Sequence, residues 1–350
     1  MRNRKIACII CVNDETYYKE CLFYISRLCL PEGFELEVYP VRDAASIYQG
    51  YQQAMAQSDA EYKVYMHQDV FLIDRDILTD MISLFERHPR AGLAGVLGAG
   101  SVSKDRRFYR SWDLGNVVGC SEKKAFQNQL DCSERQAAVL DGMFLMTSKD
   151  LPWRQDALGG WDFYDISLSL EFQKAGYEIW IPQQPKPRCI HDCGYLNLTA
   201  YDEAWQAFLK VYRENLPDYG GQSPVYPQEY QERFRLMMEI QEQWKALLFL
   251  GEAQKVREML KKLEDERFFD TETAVLKNIL EILEQESKEG VAAPQGFLYD
   301  CGSFAQAYQK YLRVKFWLRR KKYAPDDAGS CPEASKAAQQ VIRKHTMLEG

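Results

Sequence analysis

A histidine and a carboxylate interrupt an apolar stretch of the chain. Residues 62–73 read YKVYMHQDVFLI, so His67, Gln68 and Asp69 lie between two hydrophobic runs. We expect the three polar residues where a β-strand leaves its sheet, which is where open α/β sheets bind ligands. Side chains two residues apart in an extended chain point the same way. His67 and Asp69 are therefore a candidate ligand pair for a divalent cation.

The order of predicted elements places this pair after the third strand. Apolar runs predict strands at 5–12, 34–41 and 62–66, and helical periodicity predicts helices at 16–30 and 46–57. This β-α-β-α-β order is typical of a parallel, doubly wound sheet.

The next elements follow the same reading of periodicity and turn residues. They are a helix at 76–88, a small-residue strand and turn at 92–100, a strand at 140–147, a helix at 161–176 and a strand at 177–182. The roughly forty residues from 101 to 139 are polar and poorly periodic, and they predict no element. Residues 189–193 form a last polar stretch able to bind metal, in which Cys189, His191 and Cys193 could also hold zinc.

Composition indicates a soluble globular protein of two or three domains. The 350 residues are 46% hydrophobic and 27% charged, and the net charge of −7 argues against general nucleic-acid binding. The apolar run near the N-terminus is short and predicts a strand rather than a signal peptide, and no run approaches about 18 apolar residues. Ten cysteines, mostly in apolar segments, indicate a reducing compartment. We therefore expect a cytoplasmic protein.

Residues 220–227, with two glycines and two prolines, predict a linker. We expect one domain at 1–219, a helical domain at 228–322 and a disordered tail at 323–350. Within the helical domain, 308–322 carries seven basic residues and no acidic one. Such a helix could make peripheral contact with an anionic membrane, or dock on the acidic remainder of the chain.

Seven short motifs, in this order on a βαβ frame, resemble the family 2 glycosyltransferases. The resemblance is closer to a bacterial branch with His-Gln-Asp-Val in place of Asp-x-Asp, and it covers about residues 4–200. The motifs are Asn13-Asp14-Glu15, Asp43, Gly50-Tyr51-Gln52, His67-Gln68-Asp69-Val70, Asp141-Gly142, Trp161-Asp162-Phe163-Tyr164-Asp165 and His191, the last expected after the final strand.

The resemblance implies an α/β, A-type nucleotide-diphospho-sugar transferase fold with a mixed, mostly parallel sheet, followed by a C-terminal α-helical region. It implies a donor site in which Asp43 contacts the base. Asn13, Gln52 and Gln68 complete the expected donor-binding residues.

The same resemblance implies a cation that bridges the donor's diphosphate. Asp69 would bind it, and His67 and His191 would be further ligands. The expected cofactor is Mn²⁺ or Mg²⁺, and imidazole suits Mn²⁺ better.

An inverting transfer also needs a base for the acceptor hydroxyl. Asp162 and Asp165 are the candidates, since a spacing of three places both on one side of the predicted helix's first turn. Asp165 is preferred because the family pattern ends in Tyr-Asp. Ser167 stands where relatives carry another acid, so the choice stays open. Trp161 is expected to stack on a sugar ring, and Asp141 to lie at the acceptor or sugar site.

The resemblance implies a metal-dependent glycosyltransferase of the hexosyltransferase type. It would move a sugar from a nucleotide sugar, a UDP-sugar by preference, to a glycan or lipid-linked acceptor in bacterial surface polysaccharide synthesis, at the inner face of the membrane. The alternative is a non-catalytic nucleotide-binding or scaffolding protein that retains the fold, because His67 and Ser167 both replace expected acids. Each named residue also has a purely structural interpretation, such as a buried histidine, a turn aspartate or a helix-start aspartate.

Overall fold

The protein is described by a computed structural model that covers residues 4–103, 108, 111–121, 124–194, 200–216, 247, 252–264, 276–277, 279–280 and 284. The chain begins with β1 (Lys5–Val12), α1 (Glu15–Ile25), β2 (Glu35–Arg42), α2 (Ile47–Gln57) and β3 (Tyr62–His67). The predicted β-α-β-α-β order is confirmed, although α1 ends well before residue 30.

The remaining elements complete an α/β arrangement. They are β4 (Val70–Leu72), α3 (Ile77–Arg87), β5 (Ala91–Gly95), β6 (Leu97–Ala99), β7 (Leu114–Ser121), β8 (Lys124–Gln129), β9 (Arg135–Gln136), β10 (Val139–Leu140), β11 (Phe144–Thr147), α4 (Tyr164–Lys174), β12 (Glu178–Ile181), β13 (Cys189–Gly194), α5 (Tyr201–Tyr212) and α6 (Ala253–Glu264).

The larger sheet has seven strands in the order β2-β1-β3-β11-β5-β12-β9. β1 pairs in parallel with β2 and β3, while β11 runs antiparallel to β3 and β5. The register aligns Val12 with Arg42 and Cys11 with His67. The carboxyl ends of β1, β2 and β3 therefore meet at one edge of the sheet.

A second sheet has the order β10-β6-β7-β13-β4, and β8 pairs with β7 outside that path. β13 is antiparallel to β4, with His191 opposite Val70. The expectation that His191 follows the last strand is therefore wrong, because the residue lies inside β13.

The prediction of no element between 101 and 139 is also wrong, because β7 and β8 lie there. β7 reads LGNVVGCS, with glycines at 115 and 119, and so it lacks the apolar alternation that marks a strand. Its pairing with three other strands supplies the order that local sequence does not. The predicted strand at 140–147 is in fact two strands, because the chain turns at residues 141–143 between β10 and β11.

The inner strands of the seven-stranded sheet are buried on both faces. Along β1, Ile6, Cys8 and Ile10 belong to one hydrophobic cluster, and Ala7 and Ile9 belong to the other. This explains why β1 is a continuous apolar run rather than an alternating one. One cluster includes residues of α1 and α3, and the other includes residues of α2, α4 and α5.

Most of the elements predicted after residue 219 lie outside the described residues. This holds for the linker 220–227, the basic segment 308–322, the tail 323–350 and most of the helical domain 228–322, so the domain division stays a prediction. Within that domain α6 is described, and its apolar residues Val256, Met259 and Leu260 are buried. None of the helices described here is long and apolar enough to cross a bilayer.

Phe144 tests the role of β11, which joins the parallel strands to the rest of the sheet. Its side chain is fully buried, so Phe144→Ala should lower the free energy of unfolding by about 4 kcal/mol. Phe23 is 44% exposed on α1. Phe23→Ala, the matched control, should cost less than about 1 kcal/mol. Urea denaturation of both variants measures this, and equal losses would contradict the assignment of Phe144 to the core.

Candidate active site

His67, Asp69 and His191 form a compact cluster at the carboxyl edge of the sheet. Oδ1 of Asp69 lies 3.8 Å from Nδ1 of His67 and 3.7 Å from Nε2 of His191. The two imidazoles approach to 3.4 Å through the same nitrogens. The antiparallel pairing of β13 with β4 produces this arrangement, and the N–H of Asp192 donates to the carbonyl of Asp69 at 2.9 Å.

The cluster fits a divalent cation. One ligand atom from each residue lies within 4.8 Å of the others. Oδ1 of Asp69 is buried and has no hydrogen-bond donor within reach in the described part of the chain, so it is desolvated without a partner. Two imidazoles and one carboxylate suit a first-row transition ion such as Mn²⁺ better than Mg²⁺. Burial lowers the pKa of His67, although the nearby Asp69 carboxylate acts in the opposite direction. The lowered pKa favours the neutral imidazole, which is the form that ligates metals.

Gln68, between His67 and Asp69 in the chain, holds the loop after β1. Its Oε1 accepts hydrogen bonds from the backbone N–H groups of Asn13 and Asp14, each at 2.9 Å. Its amide nitrogen donates to Oδ1 of Asn13. Gln68 and Asn13, both predicted donor-binding residues, are thus brought together, and they fix the ends of β1 and β3 to each other.

The two other predicted donor-binding residues lie in different places. Asp43 follows β2, is exposed and has a positive φ of 55°, which is uncommon for a residue with a side chain. The register of β1 and β2 places it beside the loop that holds Asn13. Gln52 lies on α2, and its Oε1 accepts the N–H of Trp153 at 2.9 Å. Its carbonyl is therefore committed to the chain's own backbone.

Asp165 lies in the first turn of α4, and its carboxylate is hydrogen-bonded to the turn before β11. Its Oδ2 accepts the N–H of Gly142 at 2.9 Å, and its Oδ1 accepts the N–H of Ile166 at 2.8 Å. Burial and the neighbouring Asp141 raise the pKa of Asp165 to about 7, against the opposing effect of those N–H groups. Asp141 shapes the same turn, since its Oδ1 accepts the N–H of Met143 at 2.9 Å.

The expectation that Asp162 and Asp165 share the first helical turn is wrong. α4 begins at Tyr164, and Phe163 before it has a positive φ of 59°. Asp162 therefore lies outside the helix, with its carbonyl accepting a hydrogen bond from the Tyr48 hydroxyl at 2.8 Å. Burial raises the pKa of its carboxyl to about 6.

Trp161 projects from the protein just before this bend. Its side chain is 51% exposed, which rules out core packing and leaves the ring accessible to a ligand. Gly160, with φ 80°, lets the chain turn here, and its carbonyl accepts the N–H of Ile47 at the start of α2.

Sequence reasoning missed one residue of this site. Tyr164 is buried, and its hydroxyl is hydrogen-bonded to Nε2 of His67. The residue lies within the motif at 161–165, but a tyrosine at the start of a helix gives no sign that it will face a strand about a hundred residues away.

Residues 7–212 match the family described as Glycosyltransferase like family. This range is more than half of the chain, and the protein belongs to that family. The predicted glycosyltransferase class and the A-type nucleotide-diphospho-sugar transferase fold, with its mixed α/β sheet, are thereby confirmed. The comparison with curated proteins gives no match.

Solved structures of glycosyltransferases resemble the chain distantly. Residues 1–349 of S. aureus TarS, in complex with UDP-GlcNAc, are 12% identical, with 82% of this chain and 92% of that one covered at a TM-score of 0.41. The mannosyltransferase PcManGT from Pyrobaculum calidifontis, in complex with GDP-Man and Mn²⁺, is 14% identical, with 91% and 88% covered at a TM-score of 0.40. Likenesses of this kind assign no substrate.

The environments of three aspartates predict a distinct order of titration. Asp165 should titrate at about 7 and Asp162 at about 6, because burial disfavours both carboxylates. Asp131 provides an internal control, since hydrogen bonds from Ser133 and Arg135 lower its pKa to about 2. The pH dependence of carboxyl ¹³C shifts in metal-free protein measures all three, with Asp165→Asn to assign the signal. An ordinary aspartate pKa at Asp165 would contradict the buried placement.

Proposed function

We propose that this protein is a metal-dependent, inverting transferase that moves a sugar from a nucleoside-diphosphate sugar to a glycan or lipid-linked acceptor. The observation that carries the proposal is the cluster of His67, Asp69 and His191, with a buried carboxylate oxygen lacking a donor partner. Asp141 and Asp165 both accept N–H groups of the turn before β11, and the carbonyl of Met143 in that turn accepts the N–H of His67.

The three cluster residues would hold the cation through Nδ1 of His67, Oδ1 of Asp69 and Nε2 of His191. A bound divalent ion there would neutralise the charge of the leaving nucleoside diphosphate. Mn²⁺ is the preferred ion, because two of the three donor atoms are imidazole nitrogens.

Asp165 is the proposed general base. A carboxyl with a pKa of about 7 accepts a proton near neutral pH, which suits a base that deprotonates the acceptor hydroxyl as its oxygen attacks the anomeric carbon. Asp162 is the other candidate. Its place beside the exposed Trp161 supports a role on the acceptor side, where the aromatic ring would stack on a sugar.

The donor's base and ribose are proposed to lie over the ends of β1 and β2, against Asp43 and the loop fixed by Gln68 and Asn13. A UDP-sugar remains the expected donor. Synthesis of a bacterial surface polysaccharide at the inner face of the membrane, with contact through 308–322, stays a prediction from sequence, because that segment lies outside the described residues.

Calorimetric titration with UDP and Mn²⁺ tests the cation-dependent donor site. UDP should bind in the presence of Mn²⁺ and bind far more weakly without it, and Asp69→Ala should abolish the difference. Asp59→Ala is the control, since Asp59 is exposed at the opposite edge of the sheet, beside Lys5. A UDP affinity that changes neither on removal of Mn²⁺ nor in Asp69→Ala would refute the proposal.

The role of Asp165 predicts a pH-dependent rate. Asp165→Asn should lower kcat by about 10²- to 10⁴-fold, because general-base catalysis contributes on that order. In the wild type, kcat/KM should fall as pH drops below about 7, since the base becomes protonated. Asp162→Asn is the comparison and should raise KM more than it lowers kcat. The reverse pattern, with the chemical step lost in Asp162→Asn alone, would assign the base to Asp162.

Donor hydrolysis separates the enzyme from the non-catalytic alternative. Wild-type protein should release UDP or GDP slowly from at least one member of a panel of UDP- and GDP-sugars in the presence of Mn²⁺. Nucleotide binding without turnover of any panel member, with or without glycan acceptors, would favour the scaffolding alternative.

A further inference from the structure

Tyr164 connects the cation cluster to the helix that carries Asp165. It is the first residue of α4, its side chain is only 5% exposed, and its hydroxyl is hydrogen-bonded to Nε2 of His67. The phenol and imidazole rings have centroids 6.0 Å apart. The next residue is Asp165, so the first turn of α4 both contacts the cluster and carries the proposed base.

The two nitrogens of His67 face different partners. Nδ1 lies toward Oδ1 of Asp69 and Nε2 of His191, while Nε2 lies against Tyr164. An imidazole that ligates a cation through Nδ1 needs its lone pair there, so its proton must be on Nε2. The tyrosine oxygen can accept that N–H, and this hydrogen bond would stabilise the ligating tautomer.

The tyrosine hydroxyl is held in place from several sides. Its ring lies between the aromatic rings of Tyr48, Tyr51 and Trp153, at centroid distances of 6.5, 6.1 and 6.3 Å. Gly142 lies against it so closely that a Cβ there would be 2.0 Å from the hydroxyl oxygen. The absence of a side chain at position 142 is therefore a condition for the Tyr164–His67 contact.

We propose that Tyr164 is a positioning residue, which holds His67 with Nδ1 toward Asp69 and His191 and its proton on Nε2. By this contact the cation site and the first turn of α4 are set in place together. The inference rests on the proposed function, because it requires that the cluster binds a cation.

Mn²⁺ titration without nucleotide, followed by electron paramagnetic resonance of the free ion, tests the inference. Tyr164→Phe should weaken Mn²⁺ binding by about 10- to 100-fold, the usual effect of removing a group that orients a ligating histidine. Tyr65→Phe is the matched control. Tyr65 is equally buried on β3, two residues before His67, with its ring against Trp153, and the variant should bind Mn²⁺ as the wild type does.

A double-mutant cycle with His67→Ala separates positioning from a general structural effect. If Tyr164 acts through His67, Tyr164→Phe should cause no further loss of Mn²⁺ affinity in the His67→Ala background. An equal loss in both backgrounds would refute the inference. The ¹⁵N signals of His67 in metal-free wild-type protein should report the Nε2-protonated tautomer, which decides the question even if Tyr164→Phe folds poorly. The Nδ1-protonated tautomer would overturn it.

The outcomes distinguish this inference from the proposed function. Wild-type protein that fails to bind Mn²⁺ would refute the cation site and the positioning role together. Wild-type protein that binds Mn²⁺ with the same affinity as Tyr164→Phe would refute the positioning role alone. Gly142→Ala should match Tyr164→Phe, since its Cβ displaces the hydroxyl, and unchanged affinity in that variant would also count against the inference.

Discussion

The candidate site depends on the backbone pairing of β13 with β4. β4 follows β3 after two residues only, so the chain passes from one sheet to the other at Gln68 and Asp69. The pairing brings His191, more than a hundred residues later, opposite Val70. A shift of one residue in this register would turn the imidazole to the other face of the strand and dissolve the cluster. The turn at Asp141-Gly142, bound to Asp165, completes the site from a third direction.

The fold accepts several unfavourable features at this edge of the sheet. Phe163 and Asp43 have positive φ, a conformation that costs about 1 kcal/mol or more for a residue with a Cβ. The carboxylate oxygen of Asp69 is buried without a donor. Such features persist where surrounding packing is strong, and they gather at functional sites. Here the two hydrophobic clusters on either face of the large sheet provide that packing.

The buried carboxyl of Asp165 is another unfavourable feature of this edge of the sheet. Its pKa of about 7 lies above the ordinary 3.8 of an aspartate, so the folded state keeps a proton that the unfolded chain releases. Stability therefore falls as pH rises from about 4 toward 7. Burial thus destabilises the charged form of this carboxylate and makes the carboxylate more basic. A charged group in water would not have that basicity.

The sequence by itself determined the order of the first five elements, and it indicated His67 and Asp69 as a candidate ligand pair. Apolar runs and helical periodicity identified β1 through β3, and the polar residues at the end of the third strand identified His67 and Asp69, because these signals are local. The roles expected of Asp141, Asp165 and His191 came from the family resemblance. Tertiary structure alone decided the pairing of β7 with β13, the position of Asp162 outside α4 and the contact of Tyr164 with His67. Each depends on partners distant in the chain, and neither residue type nor short-range spacing records which distant strand or side chain will pack against it.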